Sequence, residues 1–96
     1  MGHQYQYRFA IEDRRPLKLL ICGLPHFAAY DPETREFEYR GPGNRASRQA
    51  TPDLCIRIVE HGLEIDALGS GDVVHAIVCE LETRLRGLVG EIRVVV

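Results

Sequence analysis

Residues 72–90, DVVHAIVCELETRLRGLVG, limit the available folds more than any other stretch. Val74, Ile77, Val78, Leu81, Leu85 and Leu88 recur at the three- and four-residue spacing of one helical face. Asp72 or Ser70 suits the helix start as a cap, and Gly90 suits its end. Short joints connect this helix to LEIDALGSG (63–71) before it and EIRVVV (91–96) after it. In the first of these, Leu63, Ile65 and Ala67 share a face, as in a strand. Strand, helix, strand with short joints predicts a βαβ unit. Strands 63–68 and 92–96 are then parallel and the crossover right-handed.

Upstream, strand signals dominate. YQYRFAIE (5–12) alternates Tyr5, Tyr7, Phe9 and Ile11 against Gln6, Arg8 and Glu12. DRRP interrupts it, and the short apolar LKLLICG (17–23) reads as a second strand. Residues 26–40 read as a hairpin. In its DPET turn Asp31 can bond back to the backbone and Pro32 fixes φ; Phe37 and Tyr39 then oppose Glu36, Glu38 and Arg40. GPGNRASRQA (41–50) is a loop. The next segment carries conflicting signals. Thr51, Pro52 and Asp53 resemble a helix start and Gly62 a helix stop, whereas the β-branched residues of CIRIVEHGLEIDAL suit a hairpin turning at His61 and Gly62. Agreement of start and stop favours a helix over 51–62. The expected architecture is a single α/β domain over residues 1–96. Its mixed sheet is antiparallel in the first half and parallel in the second, with two helices packed on it.

Ninety-six residues supply one modest core. A net charge of −2 argues against nucleic acid as a partner. No apolar run approaches the ~20 residues that span a bilayer, so no membrane partner is expected. MGHQYQYRFA has no apolar core of a secretory signal. Cys22, Cys55 and Cys79 are odd in number and lack framework spacing, which suits the reduced thiols of a cytoplasmic protein. The cations are eleven Arg and one Lys. Arg is preferred where an anion is gripped by two hydrogen bonds, but a coding bias of a GC-rich genome is the favoured explanation of the ratio.

The element order, with YRFAIED as first strand, HF followed by YDPET as the hairpin, a helix ending EHG, and LEIDALGSGD entering the last helix, resembles the dinitrogenase iron–molybdenum cofactor biosynthesis family (NifX and NafY-like proteins). The likeness spans most of residues 7–96. Ala28 stands where the family often has glycine, NRASRQA replaces a glycine-rich helix entry, and RRPLKLLICGLP is longer than the usual loop. The resemblance implies a ribonuclease H-like fold. It also implies a small non-catalytic carrier whose cofactor is an iron–sulfur precursor.

Among individual residues, Cys22 and His26 are candidate thiolate and imidazole ligands, with His75 as a third if the last helix begins at the same edge. A bend at Gly23-Leu24-Pro25 has to bring the pair together. The competing structural reading packs Cys22 in the core beside a surface His26, and makes Cys55 and Cys79 core thiols. Ser70 and Gly71 enter the last helix, where free N–H groups favour an anion that Arg45 and Arg48 could grip. Yet any strand-to-helix joint favours glycine, and the spacing of a Walker or dinucleotide loop is absent. Metal-dependent nuclease chemistry would need Glu12, Asp13, Asp66 and Asp72 together, but Asp66 shares a solvated strand face with Glu64. A second hypothesis is a protein–protein interaction module of antitoxin, immunity or dimerising type with no small-molecule ligand. It would pair with a protein partner or a second copy through a sheet edge, for which IRVVV is an apolar template.

Overall fold

Gly62 sits where another strand approaches too closely for a side chain. Its φ is 152°, and a Cβ there would collide with the Tyr7 carbonyl oxygen. A computed structural model describes residues 3–42, 51–69 and 71–95. In chain order the elements are β1 (His3–Arg8), α1 (Arg15–Cys22), β2 (Phe27–Asp31), β3 (Glu36–Tyr39), β4 (Leu54–Val59), β5 (Gly62–Ala67), α2 (Gly71–Val89) and β6 (Arg93–Val95). They form one six-stranded sheet in the order β2-β3-β4-β5-β1-β6.

Every neighbouring pair is antiparallel, so the sheet is not mixed. β5 and β6 do run in the same direction, because each is antiparallel to β1. They are not neighbours, however. β1 lies between them, pairing with β5 from His3↔Ala67 to Arg8↔Gly62 and with β6 from Gln6↔Val95 to Arg8↔Arg93.

Two further expectations are corrected. Residues 17–22 belong to a helix, not a strand. Leu17 and Ile21, one turn apart, are its buried residues, and Pro16 occupies the first turn, where its missing N–H costs no hydrogen bond. Residues 54–67 are the hairpin β4–β5, not a helix followed by a strand. Leu54, Ile56 and Ile58 alternate with Cys55, Arg57 and Val59, in register from Leu54↔Ala67 to Val59↔Gly62. Period-two packing of β-branched residues overrides the local capping signals. Asp53 is therefore no helix-start residue. Its buried carboxylate accepts the Gly41 N–H at 2.7 Å, and its carbonyl accepts from Leu68 and Gly69, each at 2.9 Å. The hairpin β2–β3 is as expected, with the Asp31 side chain accepting the Glu33 N–H at 2.9 Å. The long helix is also as expected.

Both helices contribute to a single core with the inward side of the sheet. Tyr7, Phe37, Tyr39, Leu54, Ile56, Leu63 and Ile65 meet Leu17 and Ile21 of α1 and Ile77, Leu81 and Leu85 of α2. Val78 is only half-buried and Leu88 is exposed. Three polar ties hold the layers. The Tyr39 hydroxyl donates to the Ile21 carbonyl. Arg84 Nη1 donates to the Gly23 carbonyl at 2.8 Å, joining the helices. The Tyr7 hydroxyl donates to Glu82 Oε1 at 2.7 Å, joining β1 to α2. Burial, reinforced by the Glu82 carboxylate, pushes the Tyr7 phenol far above its ordinary pKa.

Leu81→Ala should destabilise the protein by ~2–5 kcal/mol in urea denaturation, the range for a buried leucine. Gly62→Ala should cost more than ~1 kcal/mol, since it adds a steric collision with β1 to an unfavourable φ. A smaller loss would mean that β1 and β5 are less tightly apposed than described.

Candidate functional site

Cys22 ends α1, and His26 turns the chain toward β2 in the left-handed region, at φ 66°. The bend expected at Gly23-Leu24-Pro25 thus exists, as the exit from a helix and not as a kink between strands. Cys22 is exposed, not packed in the core, because the buried face of α1 belongs to Leu17 and Ile21. Arg84 contacts Gly23, so this corner lies against the C-terminal half of α2. His75 is nine residues earlier on that helix, which is ~13 Å along the axis and half a turn around it. It therefore does not join Cys22 and His26. It faces Cys79 instead, with Nε2 3.4 Å from Sγ. Cys79 is exposed, contrary to the core-thiol reading, because Ile77 and Leu81, two positions to either side, take the buried face.

Gly71 begins α2. Arg45, Arg48 and Ser70 lie outside the described residues. Among the described residues no group of three or more His, Cys, Asp or Glu side chains is disposed to hold a metal ion. Glu12, Asp13, Asp66 and Asp72 form no such group. The Asp13 carboxylate is engaged by the Arg15 guanidinium at 3.0 Å, which holds its pKa below the ordinary carboxylate value.

The sheet face turned away from the helices is polar. Glu36, Glu38, Glu64 and Asp66 lie on it, and Arg57 pairs with Glu64. Cys55 is on the same face and is nevertheless buried among these neighbours. Burial, then Glu36 beside it, then Glu38 and Asp66, push its thiol up to about 12.

A cleft of about 210 Å³ opens between α1 and the β2–β3 hairpin, lined by Arg14, Lys18, Tyr30, Arg35, Phe37 and Ile58. Sequence reasoning missed it because residues 17–23 read as a strand. On a helix, Arg14 and Lys18 are one turn apart and face the same way. The available signal was Lys18 itself, the single lysine beside eleven arginines.

A comparison with protein-family models finds no match, and neither do comparisons with curated proteins and with solved structures.

In the folded protein, an alkylating reagent at neutral pH should modify Cys22 and Cys79, and Cys55 only after unfolding; intact mass shows the adduct number. A third adduct forming as fast as the first two would contradict the burial of Cys55. Stability should also fall in alkali. The folded Cys55 thiol keeps its proton to about 12, while an unfolded thiol loses it near 9.0. The unfolded state then binds fewer protons, so the Cys55 contribution is constant below about pH 9 and stability declines as pH rises beyond it. The raised phenols of Tyr7 and Tyr39 add to the decline from about pH 10. Urea titrations across this range should show a shallower decline for Cys55→Ala.

Proposed function

We propose that this domain is a non-catalytic protein–protein interaction module that pairs with a second copy through the β1–β6 edge of its sheet. The contrast between the two sheet edges carries the reading. β2 has the features that blunt an edge: a bulge between Phe27 and Ala29, and a terminal Asp31. β6 has no bulge, and its three residues are the exposed Arg93 at its start followed by Val94 and Val95. Val94 is 47% exposed. Among the described residues β6 pairs with β1 from Gln6 to Arg8, and the outer side of β6 has no strand neighbour. A cleft of about 330 Å³ lined by Gln4, Tyr5, Gln6, Arg8 and Val95 lies at this edge. Free backbone groups beside apolar side chains form a template for another strand. A second copy presents the same template, so a twofold pairing satisfies both edges at once.

The carrier role implied by the family resemblance has less support. It calls for converging ligands, and His75 lies apart from Cys22 and His26. The helix ending at EHG and the adjacent parallel strands that belonged to the ribonuclease H-like reading correspond here to a hairpin and to strands separated by β1. A brown cluster formed by anaerobic iron–sulfur reconstitution, and lost in Cys22→Ala, would restore that role.

Sedimentation from micromolar to sub-millimolar protein should show the mass rising from monomer to dimer. Val94→Lys, which places a charge on the edge, should remain monomeric while keeping the native circular dichroism spectrum. A wild-type protein that stays monomeric throughout would overturn the proposal.

A further inference from the structure

The cleft beside β2, at the opposite end of the sheet from the proposed dimer edge, has an unusual charge balance. Arg14, Lys18 and Arg35 stand around it, and Tyr30, Phe37 and Ile58 supply the remaining wall. None of the three cations has a carboxylate within ion-pairing distance among the described residues. The ion pairs lie elsewhere, at Arg15–Asp13, Arg40–Glu38, Arg57–Glu64, His61–Glu60 and Arg84–Glu80. Arg14 makes one long contact, from Nη2 to the Val59 carbonyl at 3.5 Å. Asp13, beside Arg14, binds Arg15, and Asp31 caps the hairpin turn; Glu33 and Glu36 flank Arg35 in sequence, and neither forms an ion pair with it. The first turn of α1 carries no acidic residue. Like charges one helical turn apart repel, and here no acid compensates them.

The hairpin turn sets the position of the third cation. Arg35 adopts φ 61°, in the left-handed region where Gly or Asn sits at lower cost. That conformation closes the four-residue loop between Asp31 and Glu36, and it places the Arg35 side chain at the mouth of the cleft. The wall is aromatic, with the Tyr30 and Phe37 ring centroids 4.6 Å apart. Phe37 is buried, whereas Tyr30 is 46% exposed and so presents ring surface to an incoming group.

We infer that this cleft binds a small phosphomonoester whose organic part is flat and apolar. Two guanidiniums and an ammonium match a dianion with several acceptor oxygens better than a single carboxylate. At about 210 Å³ the cleft is smaller than the usual pocket for a drug-sized ligand. It admits a phosphoryl group and one ring, with the ring against Tyr30 and the phosphoryl oxygens toward Arg14, Lys18 and Arg35.

The test is titration of the full chain with phenyl phosphate, and separately with inorganic phosphate, followed by amide chemical shifts and calorimetry. Phenyl phosphate should bind saturably, shift the amides of residues 14–18 and 30–37, and bind at least ~10-fold more tightly than inorganic phosphate. Lys18→Gln and Arg35→Asn should each weaken it by ~10-fold or more. Both side chains are exposed, and Asn tolerates the left-handed backbone, so the variants should keep the wild-type melting temperature. Absence of saturable binding, equal affinity for the two probes, or affinity unchanged in both variants would overturn the inference.

Discussion

β1 receives hydrogen bonds from β5 along its whole length and from β6 along half of it, and its Tyr7 side chain reaches Glu82 on α2. The rest of the architecture depends on that placement. Without β1, β6 would have no partner in the sheet and β5 would become an edge. The inward residues of β1 also complete the core beneath α2. The absent side chain of Gly62 is what lets the two backbones come this close. A strand from the beginning of the chain therefore governs how its last strand is held.

Charge is distributed unevenly about this frame. Carboxylates gather on the open face of the sheet around Cys55, whose thiol is held in the protonated form by burial first and by these acids second. Uncompensated cations gather at the far edge, between α1 and the β2–β3 hairpin. A small net negative charge thus conceals two regions of opposite character. The β1–β6 edge belongs to neither: its exposed residues include Val94 together with Arg8 and Arg93, which lie directly opposite each other.

Elements with a long, regular pattern were legible in the sequence. Ile77, Leu81 and Leu85 announced α2, and Tyr5 and Tyr7 announced β1. The Asp31 turn followed from its own side-chain chemistry. The short elements were misread because their signals were local and the deciding forces were not. Thr51-Pro52-Asp53 has the residues of a helix start, yet Asp53 serves as a buried acceptor for Gly41. Gly62 has the position of a helix stop, yet it is needed because Tyr7, from the other end of the chain, passes beside it. Residues 17–22 are too few for a helical period to outweigh their apolar, strand-like composition. Of the candidate site, Cys22 and His26 could be named from spacing alone. Their separation from His75 needed the packing of α1 on α2, and the cation cleft needed α1 to be a helix.

The central position of β1 has a consequence for synthesis. During translation His3–Arg8 emerges before its partner β5, which lies about sixty residues downstream. At ribosomal speeds that interval is on the order of several seconds. For that time a segment bearing Tyr5, Tyr7 and Phe9 has no strand to join, while β2, β3 and β4 can assemble from neighbouring sequence as a meander. The nascent chain thus passes through a stage with the β2–β4 side of its sheet built and β1 unclaimed.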